Sequence, residues 1–244
     1  MEDDDRDSRH HPSLASGGTT LPRRTRAYIG LGANLGDAAG TLAAAIHALA
    51  ALPGARLAGV SRLYASRPVG VPDQPEFRNA VVALDVPVGP DPATGATALL
   101  VALKGLERAF GRREGRRWGP RELDLDLLVF GRARLAIDRP PGARSLEADR
   151  DPERAARLLE VPHPEARRRL FVLAPLAELA PRLVPPDWGE TVDSARRRQL
   201  AIEGPDAVRP VARWDPATGG WAPGCAPTAG PPAASSDRTC GPCR

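Results

Sequence analysis

The chain is short of several things, and each shortage excludes something. Only one of its 34 basic residues, Lys104, is a lysine. Arginines are scattered through both ends as well as the middle, which reflects coding bias more than a dedicated surface. No stretch approaches the roughly 18 consecutive apolar residues of a membrane span. The N-terminal run MEDDDRDSRHHPSLASGG is acidic and polar and lacks the basic and apolar regions of a secretory signal, so a cytoplasmic location is expected. The three cysteines are Cys225, Cys240 and Cys243, which leaves everything before them without a disulfide. Three thiols with no fourth ligand nearby do not make a structural zinc site. Aromatic residues are 4% of the chain, too few for an RNA-binding sheet, and no RNP-like strand is present. The net charge of +4 is small for 244 residues; it suits an anionic small molecule better than nucleic acid. There is no G-x-x-x-x-G-K-[ST]. GLGANLG, with glycines at 30, 32 and 36, misses G-x-G-x-x-G by one position, and no acidic residue closes the second strand. These glycines equally suit a strand ending in a tight turn.

What is there reads as one folded domain between two tails. Residues 1–25 are polar and aperiodic and are expected to be disordered. Residues 205–244, rich in Pro, Gly and Ala, are expected to be a disordered tail as well. Within 26–204 the order is strand (27–32), helix (36–52), strand (55–66), strand (78–88), helix (91–110), strand (122–131). Asp91 is the expected N-cap of the second helix and Gly111 its end. The β-α-β-β-α-β order predicts an α+β fold with a ferredoxin-like core, an antiparallel sheet carrying two helices on one face. Residues 132–160 read as an inserted charged segment ending in a short helix, DPERAARLLE. Residues 161–181 read as an added C-terminal helix-and-strand unit.

ELDLDLLVFG (122–131) alternates strictly. Leu123, Leu125, Leu127 and Val129 are expected on one face, and Asp124 and Asp126 on the other, about 6–7 Å apart. Two ionised carboxylates side by side suit either a solvated edge strand or a cation. Arg112, Arg113, Arg116, Arg117 and Arg121 lie just upstream, in a stretch broken by Gly111, Gly115, Gly119 and Pro120. An arginine loop leading into paired carboxylates has the makings of a polyphosphate site. The carboxylates would hold Mg²⁺, the ion would bridge phosphates, and the arginines would take the remaining oxygens. An ordinary solvated turn has the same composition.

Four stretches together, AYIGLGANLGD (27–37), SRLYASRPVGVPDQPEFRNAVVAL (61–84), RRWGPRELDLDLLVFG (116–131) and VPHPEARRRLFVLAPLAELAP (161–181), closely resemble the 6-hydroxymethyl-7,8-dihydropterin pyrophosphokinases of folate biosynthesis. The resemblance covers nearly all of residues 26–190. It implies transfer of the β,γ-diphosphate of ATP to the pterin hydroxymethyl group, with release of AMP. It implies that Asp124 and Asp126 hold two Mg²⁺ ions. Glu107, Arg112, Trp118, Arg121, His163 and Arg169 would serve the nucleotide, and Arg113 or Arg116 would close over the phosphates. The pterin would lie against Ser66, Arg67, Pro68, Val69, Phe77, Asn79 and Phe171, sandwiched between the two phenylalanine rings and read at its amide edge by Asn79. Arg67 stands where the family often has proline, and Phe77 where many members have tyrosine. The partners implied are small molecules, with neither nucleic acid nor membrane, and a monomer is expected. A non-catalytic ferredoxin-like small-molecule binding module is the alternative; it would have no need of the aspartate pair with Arg121. Two further expectations follow: deleting 1–24 and 206–244 leaves activity unchanged, and Asp124→Asn or Asp126→Asn removes most activity while leaving the fold intact or more stable.

Overall fold

The computed structural model describes residues 23–68, 74–112, 120–140 and 156–223. In β1 (Arg24–Ala33), alternation buries Ala27, Ile29, Leu31 and Ala33 on one face. Asp37 then caps α1 (Ala38–Ala50), its side chain accepting the Gly40 N–H at 2.9 Å. Residues 55–66, expected as a single strand, form two: β2 (Arg56–Val60) and β3 (Leu63–Ser66). The break falls at Ser61. Its hydroxyl oxygen accepts the Val81 N–H (2.9 Å) and its own N–H donates to the Val81 carbonyl (3.0 Å). Both pieces therefore stay paired with β4 (Phe77–Pro87). α2 (Pro92–Ala109) starts at Asp91, which accepts from the Ala93 and Thr94 N–H groups at 2.8 and 3.0 Å, and it ends at Gly111 with φ +88°. β5 (Asp124–Phe130) completes the β-α-β-β-α-β core.

All strand pairs are antiparallel, and α1 and α2 pack on one face of the sheet, as expected of the ferredoxin-like order. β1 is central, between β4 and the edge strand β5. After the core, β6 (Leu135–Asp138) and β7 (Arg157–Val161) form a separate two-stranded sheet. A short 3-10 turn (Ala166–Arg168) leads into α3 (Leu170–Leu179), and α4 (Val192–Glu203) follows. α3 and α4 cover the second sheet face, where Tyr28, Val81, Ala83, Leu128 and Val129 meet Val172, Leu173, Leu176, Trp188, Val192 and Ala195. The C-terminal extension is thus a strand followed by two helices.

Four further expectations need correction, and one helix was not anticipated. Val129 faces the second cluster, because a bulge where β5 pairs with Tyr28 and Ile29 puts Leu128 and Val129 on the same side. Residues 157–160 of the expected short helix belong to strand β7, held by pairing with β6, while 151–155 lie outside the described residues. α4 had no reading in the sequence. The N-terminal tail is shorter than expected: β1 opens at Arg24, and the Arg23 carbonyl accepts the Val88 N–H at 2.8 Å. The expected C-terminal tail contains a hairpin, β8 (Val208–Asp215) and β9 (Gly220–Pro223), which extends the sheet beyond β3 in the order β5-β1-β4-β3-β8-β9. Residues 1–22 and 224–244, with all three cysteines, lie outside the described residues.

The hairpin is fastened by aromatic residues. Trp221 Nε1 donates to the Ala39 carbonyl (3.0 Å), Trp214 and Trp221 meet edge to face at 5.1 Å, and His47 Nε2 lies 2.7 Å from the Gly219 carbonyl. Both tryptophans pack on the α1 side of the core. Deleting 206–244 would therefore remove packing from the core, whatever it does to activity. Trp221→Ala should cost about 2 kcal/mol through lost packing and one lost hydrogen bond. In a thermal melt this is a drop of roughly 4–8 °C; an unchanged melting temperature would show that the hairpin contributes nothing to the core.

Candidate active site

Strand register assembles one cleft on the α3 side of the sheet. Gly32 of β1 pairs with Asp124 on one side and Asn79 on the other; Gly30 pairs with Asp126 and Val81. Side chains directly opposite in antiparallel strands share a face. The two carboxylates and the Asn79 amide therefore stand in rows across a floor with no side chains. A Cβ on Gly30 would sit 3.4 Å from Leu128, and one on Gly32 3.6 Å from the Asn79 Oδ1, so each glycine keeps the floor low. The cleft has a volume of about 160 Å³. Ser66, Arg67 and Phe77 line it at the β3–β4 end, and Arg121, Asp124 and Asp126 at the β5 end.

The roof is the start of α3, which supplies Arg169, Phe171 and Val172. Its first turn is fixed from α4: Glu203 accepts the Leu170 N–H at 3.0 Å and is itself held by Gln199 Nε2 at 2.9 Å. Pro175 lies inside α3 and has no N–H to offer the Phe171 carbonyl four residues back. The Arg169 guanidinium lies 5.9 Å from the Phe171 ring centroid.

The two ends of the cleft are joined by Asn34, which is buried just beyond β1. Its Nδ2 donates to Gln74 Oε1 (3.1 Å) and to the Pro75 carbonyl (3.2 Å), beside Phe77. Its Oδ1 accepts the Arg121 N–H (2.8 Å), and its own N–H donates to the Arg121 carbonyl (3.0 Å). On the floor, Asn79 Nδ2 donates to Ser66 Oγ at 2.9 Å, which orients the amide.

The charges at the β5 end differ in kind. Arg112 Nη1 and Arg121 Nη1 each lie 2.6 Å from one oxygen of Asp124. Burial alone would push this carboxyl up, but Arg121, Arg112 and Lys104 outweigh it and hold the carboxyl below its ordinary range. Asp126 makes no hydrogen bond or ion pair with the described residues and presents its carboxylate to the cleft. Glu107 is buried behind β5, where desolvation pushes its carboxyl up although Lys104, the Leu125 N–H and Arg112 oppose the shift.

Of the residues singled out in the sequence, Ser66, Arg67, Phe77, Asn79, Arg121, Asp124, Asp126, Arg169 and Phe171 line this one cleft. Arg112 touches it through Asp124, and Glu107 only through Arg112. Pro68 and His163 are not among its lining residues. The His163 N–H donates to the Leu128 carbonyl (2.9 Å), which ties the end of β7 to β5, and His163 Nδ1 accepts the Glu165 N–H at 3.3 Å. Val69, Arg113, Arg116 and Trp118 lie outside the described residues. Sequence reasoning missed Gly30 and Gly32 as the floor, Asn34 as the tie and Lys104 behind β5. The signal for the floor was available: two glycines at i and i+2 of a strand bare one face of it.

The donor set suits a hard divalent cation. Among the described residues no three His, Cys, Asp or Glu side chains gather as a protein-only metal cage. Two carboxylates on one face, one of them uncommitted, match an ion such as Mg²⁺ that takes one or two protein oxygens and completes its shell with water and substrate phosphates.

Comparison with known proteins bears on this geometry. A model of the 7,8-dihydro-6-hydroxymethylpterin-pyrophosphokinase (HPPK) family matches residues 28–181. The chain belongs to this family. It is 42% identical over 187 residues to the 2-amino-4-hydroxy-6-hydroxymethyldihydropteridine pyrophosphokinase of Methylorubrum extorquens, covering 77% of this chain and 99% of that one. It is also 42% identical over 162 residues to the enzyme of the same name from Pseudomonas aeruginosa, covering 66% and 85%. Among solved structures, Plasmodium falciparum HPPK-DHPS shares the fold with a TM-score of 0.61 at 13% identity, over 80% of this chain; the match spans half of that longer chain. The family match ends at Pro181, so α4 and the β8–β9 hairpin lie beyond it.

Two outcomes follow from the site. Asn34→Ala removes three side-chain hydrogen bonds and should cost about 1–3 kcal/mol. Hydrogen exchange at the Arg121 amide should speed up, and unchanged protection there would show that Asn34 ties nothing. Asp124→Asn should destabilise the chain, contrary to the expectation from carboxylate repulsion, because Arg121 loses its carboxylate and Arg112 one of its two. A carboxyl with a depressed folded pKa stabilises fully above its unfolded value of about 3.9 and loses that contribution as pH falls through the folded value. The gap between the parent and Asp124→Asn melting curves should therefore narrow in acid; a constant gap would separate the effect from ionisation.

Proposed function

We propose that this chain transfers the β,γ-diphosphate of ATP to 6-hydroxymethyl-7,8-dihydropterin, giving AMP and the pterin methyl diphosphate in folate biosynthesis. The observation that carries the reading is the single cleft. Its β5 end holds two carboxylates, and the cleft is also lined by a buried amide, Asn79, and two phenylalanines, Phe77 and Phe171. A flat amide-edged heterocycle suits the amide and the rings, and a metal-bound polyphosphate the carboxylates.

In this reading the pterin lies between Phe77 and Phe171, and Asn79, held by Ser66, offers a donor and an acceptor to its amide edge. That pose directs the hydroxymethyl arm along the floor towards Asp126. The bare surface over Gly30 and Gly32 leaves room for it. Asp124 and Asp126 would hold Mg²⁺, two ions by resemblance, and bound Mg²⁺ supplies charge neutralisation and a more acidic alcohol. Arg121 and Arg169 line the same cleft and would take phosphate oxygens, with Arg112, Arg113 or Arg116, Trp118 and His163 assigned to the nucleotide by resemblance alone. No side chain serves as a covalent nucleophile, since the substrate alcohol attacks in line. Glu107 is buried and meets the cleft through Arg112, so in this reading its part in the nucleotide site is indirect. Among the described residues no helix is long and apolar enough to cross a membrane, and with soluble small-molecule substrates the enzyme is read as a cytoplasmic monomer. A pure binding module finds no use for the uncommitted Asp126.

Incubation with ATP, Mg²⁺ and the reduced pterin alcohol should release AMP; ADP would mark an ordinary kinase, and no nucleotide product a binding module. Asp126→Asn should lower turnover at least about 100-fold. It should hardly move the melting temperature, because Asp126 has no hydrogen-bond or ion-pair partner among the described residues. Phe171→Ala should weaken pterin binding by about 10–100-fold, in line with loss of one stacking face, and leave nucleotide affinity near the parent value.

A further inference from the structure

Both oxygens of Asp124 are already taken. Arg112 Nη1 and Arg121 Nη1 sit 2.6 Å from Oδ1 and Oδ2, so each oxygen already has a positive charge where a cation would approach. A guanidinium has donors only and repels a cation. One or both arginines must therefore leave Asp124 when a divalent ion arrives. Their situations differ. Among the described residues the Arg121 side chain has no second acid, and its backbone is fixed by Asn34. Arg112 already touches a second carboxylate, that of Glu107.

Glu107 cannot follow Arg112 in turn, because it is anchored. β5 is the edge strand, and Leu125, between the two aspartates, points its N–H and carbonyl away from β1. Glu107 Oε1 accepts that N–H at 2.8 Å, and Lys104 Nζ donates to that carbonyl at 3.2 Å and to Glu107 at 2.8 Å. Together Lys104 and Glu107 stand where a neighbouring strand would be. Arg112 is the movable member of the group, and its side chain is only 27% exposed. Without another acid it could leave Asp124 only as a poorly solvated, unpaired cation, at a cost that would be subtracted from metal binding.

Building on the functional reading above, we propose that Arg112 is a place-holder for the divalent cation at Asp124, and that Glu107 is the positioning residue to which Arg112 is handed when the cation binds. Glu107 acts through Arg112 and touches neither metal nor substrate. In the metal-free chain Arg112 and Arg121 neutralise Asp124 in the cation's stead. On loading, Arg112 keeps its contact with Glu107 and gives up Asp124. Arg121 turns to the phosphates that arrive with the ion.

The test is a double-mutant cycle on the full chain, read by electron paramagnetic resonance of free Mn²⁺ at saturating α,β-methylene ATP. The variants are Glu107→Gln, Arg112→Ala and the two combined. Glutamine keeps an oxygen for the Leu125 N–H, and a melt in EDTA checks folding. Glu107→Gln should weaken Mn²⁺ binding about tenfold, a typical coupling for charges in contact. Arg112→Ala should leave Mn²⁺ binding equal or tighter, and in that background Glu107→Gln should change it less than about twofold. Equal weakening by Glu107→Gln in both backgrounds would overturn the hand-over and make Glu107 a simple source of negative charge. Weaker Mn²⁺ binding in Arg112→Ala would also overturn it, and this arm leaves Glu107 untouched. If the wild-type chain binds no Mn²⁺ with the analogue, the functional reading itself fails, which is distinct from uniform weakening.

Discussion

Gly32 is paired with Asp124 on one side and Asn79 on the other, and Gly30 with Asp126 and Val81. Everything proposed for this chain rests on that register of β1 between β4 and β5. The side-chain period of a strand is two, so a slip by one residue would turn the carboxylates and the amide into the α1–α2 core and expose leucines in their place. Burial prevents the slip. Ile29 and Leu31 of β1, Val82 and Leu84 of β4, and Leu125 and Leu127 of β5 all go under the helices in the observed register. The apolar face sets the position of the polar one, and the apolar face has by far the more to lose.

The polar groups are sorted by how firmly they are held. Asn34 and Asn79 are buried with their amides bonded, and each fixes a wall. Asp124 is ion-paired twice, and Asp126 is left uncommitted. A carboxylate with no hydrogen-bond or ion-pair partner among the described residues, beside one with two, is an uneven distribution for a site that serves folding alone. It suits a site whose remaining partners come with the ligand. The network behind β5 adds a second use for charge: Lys104 and Glu107 satisfy the outer backbone of an edge strand, which would otherwise be open to pairing with another chain.

Much of this was legible in the residues. Strict alternation in ELDLDLLVFG placed Asp124 and Asp126 on one face, and Asp91 and Gly111 marked the limits of α2. The same alternation failed at Val129, because a bulge depends on the partner strand and leaves no local mark. The break at Ser61 was hidden for a related reason: it is made by a side-chain hydroxyl that reaches the backbone of β4. Asn34 carries its meaning only through residues 40 and 87 positions away. The hairpin was lost in a Pro/Gly-rich composition, since Trp214 and Trp221 find their surface on α1, more than 160 residues earlier in the chain. Lys104 looked like a coding accident and proved to sit under the site.

β8 is bonded to β3 along Leu63–Ser66, with Val208 opposite Ser66, and Arg209 pairs with Glu76 at 2.7 Å, next to Phe77. This has a consequence for synthesis. A chain leaving the ribosome N-terminus first can pair β1, β4 and β5 as soon as they emerge. The outer edge of β3, with the wall that carries Ser66, stays unpaired until residues 208–215 follow. The sheet is completed from the end of the chain backwards onto a strand made about 140 residues earlier, a long-range contact of the kind that forms late. During that interval the exposed edge of β3 is the part of the nascent protein most open to wrong partners.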